Sequence, residues 1–267
     1  MKEEYRQMLA KTGAAHKYDH GHALVLTGGA AATGAARLAA RGALRAGAGL
    51  VTLGAPGAAL MECAMHSTAV MVRRCDGAEG LGAVLEDPRI NALCLGPGMG
   101  IDRAAQALPT ALDHARKATS SGCVLDADAL TALAGAPLSL HDRVVLTPHG
   151  GEFRRMFPDL AQDDDGVAQA SRQCSAIVLL KGARTVIASP GGQLASVEAK
   201  APWLATAGSG DVLAGIITGL IARGCPPFDA AVLGADLHGA AARAFGPGLI
   251  AEDIPEMLPK VFAKLSL

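Results

Sequence analysis

Ala23-Leu24-Val25-Leu26-Thr27, closed by Gly28-Gly29, is the run on which the fold turns. Four apolar residues in succession leave no polar face, which suits a strand buried on both sides. The alanine-rich stretch from Gly34 to Ala46 follows and reads as a helix, with Arg37, Arg41 and Arg45 four apart on one face. Further runs of the same kind are Leu50 to Leu53, Ala92 to Leu95, Cys123 to Asp126, Val144 to Thr147 and Ile177 to Leu180. Most are too short and too uniformly apolar for a one-sided antiparallel sheet. They predict an α/β fold with a mostly parallel central sheet covered by helices on both faces. The segment from Ile177 to Ser189 is the exception, because two apolar runs flank Gly182-Ala183, the composition of a two-residue hairpin turn. No linker, low-complexity segment or internal repeat interrupts the chain, so residues 1–267 read as one domain.

Composition narrows the function. Half of the 267 residues are hydrophobic and 18% are charged, enough apolar area for a substantial core. Aromatics make up only 3%, which argues against stacking platforms for single-stranded nucleic acid. A net charge of −1 without a basic run argues against a nucleic-acid or membrane-surface protein. Cys63, Cys75, Cys94, Cys123, Cys174 and Cys225 are widely spaced with no CxxC pair, and Cys94 and Cys123 lie in strand-like runs as small hydrophobes. The amino terminus has no apolar signal region and no apolar run is long enough to span a bilayer, so a reduced, cytoplasmic protein is expected.

In parallel sheets ligands bind beyond the carboxyl ends of the strands. Glycine and polar residues collect at those ends: Gly28-Gly29, Gly96-Pro97-Gly98, Asp126-Ala127-Asp128, Thr147-Pro148-His149 and Lys181-Gly182. A further run, Thr206-Ala207-Gly208-Ser209-Gly210-Asp211, precedes Val212, Leu213, Ile216, Ile217, Leu220 and Ile221, which line one apolar helix face. Gly224 and Pro226-Pro227 supply the stop. Free N–H groups and the positive dipole end at that helix start favour an anion, and the two glycines allow close approach. A carboxylate beside an anion site is unfavourable unless it handles a proton or a metal, which points Asp211 toward phosphate chemistry. The same run also fits a plain helix cap. It matches neither the Walker pattern nor a dinucleotide fingerprint, and Gly246-Pro247-Gly248-Leu249-Ile250-Ala251 has no strand before it.

Lys181 can present its ammonium to a phosphate, with Thr185 and the turn amides as donors, or it can be a solvated hairpin lysine. His149 can contact a polar substrate or move a proton, and is also an ordinary loop histidine. Asp126 and Asp128 alternate across a strand end, so they are expected not to face one ligand. One is a candidate for holding a magnesium-bound water, the other for capping a helix that begins near Ala129. His16, His20 and His22 have no Cys or Glu partner at ligand spacing, which argues against zinc there.

Taken in order, these segments resemble the ADP- or ATP-dependent NAD(P)H-hydrate dehydratases of the ribokinase-like superfamily. The resemblance runs from His16-Lys17-Tyr18-Asp19-His20-Gly21 through Gly34 to Leu38, Ala43 to Val51 and Leu95-Gly96-Pro97-Gly98. It continues through Leu125 to Leu130, Thr147 to Glu152, Lys181 to Thr185 and Ala207 to Gly224. It implies a ribokinase-like fold and an enzyme that returns (6S)-hydrated NADH or NADPH to NADH or NADPH. The nucleotide would phosphorylate the ring hydroxyl, and elimination would follow. Ala35, Gly98, His149 and Asp211 match positions that bind the hydrated cofactor, with Asp211 as the catalytic base. Lys181, Gly182, Ala183, Arg184, Thr185 and Gly210 match nucleotide contacts. Mg2+ would bridge the phosphates, its protein ligands unassigned. The resemblance favours ADP over ATP and implies self-association.

The family often fuses an epimerase domain ahead of the dehydratase, so a separate epimerase polypeptide is expected here. Between Gly192 and Thr206 the family's Asn and Gly-Asn pair are replaced by Gln193 to Leu204, which puts contacts from that loop in question. The nearest rival is a ribokinase-like small-molecule kinase, such as a hydroxymethylpyrimidine or hydroxyethylthiazole kinase. A nucleotide sensor without chemistry is a second, and Asp211 beside Gly210 argues against it.

Overall fold

The computed structural model describes Arg6, residues 9–10, 15–117, 121–134 and 140–265. Nine strands form one sheet: β1 (His22–Leu26), β2 (Leu50–Ala55), β3 (Met71–Arg74), β4 (Ile90–Leu95), β5 (Gly122–Leu125), β6 (Val144–Leu146), β7 (Ile177–Leu180), β8 (Arg184–Ala188) and β9 (Leu194–Glu198). Their order is β3-β2-β1-β4-β5-β6-β7-β8-β9. All pairings from β3 through β7 are parallel, while β7-β8 and β8-β9 are antiparallel.

The helices are α1 (Gly34–Ala46), α2 (Leu60–Met65), α3 (Gly77–Val84), α4 (Ile101–Lys117), α5 (Ala127–Leu133), α6 (Gly150–Met156), α7 (Asp164–Cys174), α8 (Ser209–Ala222), α9 (Pro227–Phe245) and α10 (Asp253–Lys264). Alternate strand residues feed two cores. Ala23 and Val25 join α1, α8, α9 and α10 on one face, whereas Leu24 and Leu26 join α3, α4, α5, α6 and α7 on the other. The uninterrupted apolar runs follow from this double covering. All six cysteines are buried and unpaired. Among the described residues no helix is long and apolar enough to cross a membrane.

Several elements differ from the sequence reading. Edge strands β3 and β9 carry half-exposed residues and give no continuous apolar run. The turn after β7 is wider than two residues: Leu180 pairs with Val186, leaving five residues between them. Arg184 counts as strand because it pairs with Glu198 of β9. Helix α8 is buried all round from Val212 to Ala222 rather than along one face, since α1, α9 and the sheet enclose it.

Glycines set how deeply α8 sits. A Cβ at Gly215 would lie 2.0 Å from the Ala39 carbonyl oxygen, and one at Gly219 would lie 2.3 Å from that of Ala43. Both obstacles are backbone of α1, so no rotamer change relieves them. Alanine gains about 1 kcal/mol over glycine in a helix interior, yet forced overpacking costs about 1–3 kcal/mol. Gly215→Ala is therefore expected to lower the urea midpoint with an unchanged slope. Gly82→Ala in α3, where a Cβ meets nothing within 4 Å, should raise the unfolding free energy by roughly 0.4–1 kcal/mol.

Candidate active site

Strands β1, β4, β5, β6 and β7 run parallel, so the five glycine-rich or polar segments that follow them share one edge of the sheet. The chain reverses its direction of travel across the sheet between β1 and β4, the place where open α/β sheets leave a crevice. Gly28 and Gly98 meet there. A Cβ at Gly28 would lie 2.1 Å from the Gly98 carbonyl oxygen, and one at Gly98 would lie 3.2 Å from the Ala35 Cβ. Ala35 and Gly98 are thus neighbours at the switch point.

Gly208 takes a left-handed conformation (φ 87°) at the N-cap of α8, so the helix starts abruptly at Ser209. The first amides of α8 have no intrahelical acceptor and carry the positive end of its dipole. Lys181 reaches the same place, its Nζ 3.3 Å from where a Gly210 Cβ would stand. That ammonium is paired: it donates to Asp126 Oδ1 at 2.7 Å, with the lysine side chain 20% and the aspartate 2% exposed.

Asp126 and Asp128, expected not to face one ligand, hold different partners in the structure, Asp126 the Lys181 ammonium and Asp128 the Gly100 N–H. Strand β5 stops at Leu125, Ala127 is left-handed (φ 44°) and α5 begins there, two residues earlier than the sequence suggests. Neither carboxylate takes the expected capping part: Asp126 stands at the N-cap without a side-chain cap bond, and Asp128 accepts the Gly100 N–H at 2.8 Å. Both press electrostatically on Asp211. Burial, then Asp126, pushes the Asp211 carboxyl up to about 6 against the opposing pull of Lys181, with Asp128 adding to the rise. Such a group is a base near neutral pH and still holds its proton in mild acid.

A cavity of about 770 Å³ opens beside Lys181, within the range of small-molecule sites. Its walls include Lys181, Gly182, Ala183, Arg184, Thr185 and Gly210, together with the 197–205 segment and α9. Ala35, Gly98, His149 and Asp211 do not line it. Of these four, Ala35 and Gly98 stand at the switch point, His149 stands beside Lys181, and Asp211 follows Gly210 at the start of α8. Arg184 is already engaged, donating twice to Asp164 at 2.5 and 2.9 Å, while Thr185 is nearly buried and donates to the Gly182 carbonyl.

His149 sits beside Lys181 through an isolated parallel bridge between their backbones. Its ring is 61% exposed. Nδ1 accepts the Gly151 N–H at 2.9 Å, and the Glu152 carboxylate accepts the His149 N–H at 2.8 Å, a capping box for α6. The histidine therefore holds its own helix start as well as facing the edge. His16, His20 and His22 lie elsewhere, on the turn and strand before the switch; His22 pairs with Thr52 at 2.8 Å.

The partner of Asp126 and the whole of His238 escaped the sequence reading. Asp126 was a candidate without a partner, because nothing local shows that Lys181, 55 residues on, reaches it. His238 of α9 lines the cavity, and only its isolation among alanines and glycines marks it in the sequence.

Among the described residues no group of three or more His, Cys, Asp or Glu is arranged to hold a metal by itself. Magnesium keeps several waters and takes one or two carboxylates plus phosphate oxygens. The carboxylates of Asp126 and Asp128 fit that sparse donor set.

The fold is ribokinase-like. A ribokinase-like protein from Enterococcus faecalis V583 superposes with a TM-score of 0.85 at 24% identity, covering 97% of this chain and 94% of that one. A family model of NAD(P)H-hydrate dehydratases matches residues 23–260, and the chain belongs to that family. The bifunctional NAD(P)H-hydrate repair enzyme Nnr of Moorella thermoacetica is 40% identical over 280 residues, covering 97% of this chain and 52% of that protein. The chain spans about half the length of the curated relatives it matches. The ADP/ATP-dependent NAD(P)H-hydrate dehydratase of Bacillus subtilis, co-crystallised with ATP/Mg2+, superposes with a TM-score of 0.83 at 27% identity, over 98% of this chain and 97% of that one.

Removing Lys181 leaves Asp126 buried without its partner. Lys181→Ala is expected to lose about 3 kcal/mol of stability, the low end for a broken buried pair because the lysine is partly exposed. Chemical denaturation at pH 7 reads this. Lys181→Ala combined with Asp126→Asn should recover much of the loss, since no charge is then left stranded.

Proposed function

We propose that this chain dehydrates (6S)-hydrated NADH and NADPH back to the reduced cofactors, at the expense of ADP in preference to ATP. The observation that carries the reading is the Asp211 carboxyl, held at about 6 beside the Lys181 ammonium at the amino end of α8. The family assignment and the cavity beside Lys181 support it. The nucleotide lies in the cavity, held by Lys181 to Thr185 and Gly210. The hydrated nicotinamide lies at the switch point near Ala35, Gly98 and His149. The single sheet supports one catalytic domain.

Asp211 removes the proton from the ring hydroxyl. The freed oxygen bonds to the terminal phosphorus as the bond to the departing nucleotide breaks. Amides from Gly208 to Gly210, with Lys181, stabilise the charge that develops. Phosphate then leaves with the electron pair of the ring carbon–oxygen bond, and the adjacent ring carbon gives up a proton to water, which closes the double bond and restores the dihydronicotinamide. Magnesium, when bound, would neutralise the phosphates, and one of Asp126 and Asp128 would hold a magnesium-bound water. Incubation with hydrated NADH and either ADP or ATP should restore the reduced-nicotinamide absorbance, faster with ADP. Phosphorylation of a thiamine precursor without that recovery would establish the rival kinase.

Asp211→Asn should lower the rate about 10²–10⁴-fold while ADP affinity stays near wild type. Because Asp211 works as the anion, the wild-type rate should fall as pH drops through about 6, and the asparagine variant should lack that limb. The stability sign is opposite. A raised carboxyl pKa favours the folded state in acid, and that contribution is lost as pH rises through about 6. Asp211→Asn should therefore raise the melting temperature at pH 8 and leave it little changed at pH 4.

His149→Ala should raise KM for hydrated NADH, change kcat less and leave ADP affinity alone. It should also cost about 1 kcal/mol of stability through the lost cap of α6. His149→Asn, which can still cap, should recover the stability without recovering KM. A defect confined to ADP binding would place His149 on the wrong ligand.

A further inference from the structure

Helix α9 is built of small and apolar residues around His238, which is 7% exposed and borders the cavity. Its Nε2 lies 2.9 Å from the Ser209 carbonyl oxygen. A carbonyl only accepts, so Nε2–H donates and the tautomer is set. Burial first, and Lys181 further, hold the imidazole down at about 4, so it is a neutral donor across the physiological range. Ser209 is also tied from its side chain, whose hydroxyl donates to the Leu204 carbonyl at 2.7 Å. The first residue of α8 is thus fastened to α9 and to the wall of the cavity.

The peptide between Ser209 and Gly210 is planar and trans, so its C=O and N–H point in opposite, coupled directions. Fixing the Ser209 carbonyl fixes where the Gly210 amide aims. Gly210 lines the cavity and stands beside the Lys181 ammonium. We propose that His238 is a positioning residue that, through the Ser209 carbonyl, aims the Gly210 amide at the phosphate of the bound nucleotide. The proposal rests on the nucleotide site assigned above. It predicts that losing the donor harms recognition of phosphate and spares recognition of nucleoside.

His238→Leu removes the donor. His238→Gln restores one, because its amide nitrogen stands three bonds from Cβ, as Nε2 does. Calorimetry on the whole chain should show His238→Leu weakening ADP about tenfold, the worth of one charge-assisted hydrogen bond, with adenosine affinity nearly unchanged. The glutamine variant should recover most of the ADP affinity. Equal losses for ADP and adenosine, or no recovery by glutamine, would overturn the proposal, since a merely structural histidine would affect both ligands alike. If the leucine variant does not fold, His238→Gln against His238→Asn makes the same comparison, because asparagine places its amide near the position of Nδ1. A wild-type chain that binds ADP but leaves hydrated NADH unrestored would count against the dehydratase reading and still leave the ADP-to-adenosine ratio as the test of His238.

Discussion

A helix can offer its amino end to a ligand only if its position along its own axis is fixed. Apolar burial alone does not fix it, because a uniformly hydrophobic helix can slide with little loss. In α8 the backbone of α1 does so: Gly215 and Gly219 rest on the carbonyls of Ala39 and Ala43, while Gly42 of α1 faces the carbonyl of Val212 in return. These contacts have almost no slack. They set the height at which Gly208 to Asp211 emerge above the sheet, and with it the reach from Gly210 to Lys181.

Within that frame the site is an arrangement of unequal charges. Asp126 and Lys181 form a buried pair, and that pair and Asp128 all act on the partly buried Asp211. Asp126, the most buried of the three carboxylates, holds Lys181 and also adds to the rise in Asp211. One pair therefore does two things: it keeps a cation in place beside the amino end of α8, and Asp126 discourages the neighbouring carboxylate from losing its proton too readily. A left-handed Ala127 between Asp126 and Asp128 is the local conformational cost of this arrangement.

Much of the fold was legible because the central strands are covered on both faces, and that condition leaves an unbroken apolar run in the sequence. Helix α1 was legible at both ends, and Gly47 with φ 110° closes it. Edge strands β3 and β9 were not, since a half-exposed strand of four or five residues resembles a loop in composition. The width of the β7-β8 turn was hidden for another reason. Arg184 becomes strand by pairing with β9, which the apolar pattern did not reveal. The partners of Asp126 and His238 lie 55 and 29 residues away, on other elements, beyond the reach of any local periodicity.

The mostly parallel α/β architecture, the glycine-rich and polar edge beyond the strand ends, and Asp211, Lys181, His149 and Gly210 as candidates were all legible in the chain alone. Period, turn chemistry and small residues at strand ends are local properties, and they survive in one dimension. Tertiary structure decided which of these residues meet. It gave Lys181 a buried partner, raised the Asp211 carboxyl, set Gly98 against Ala35 and His149 beside Lys181, and tied Ser209 to His238. Each of those outcomes depends on burial or on a distance between elements far apart in the chain. Neither is defined until the sheet has closed and the helices have packed.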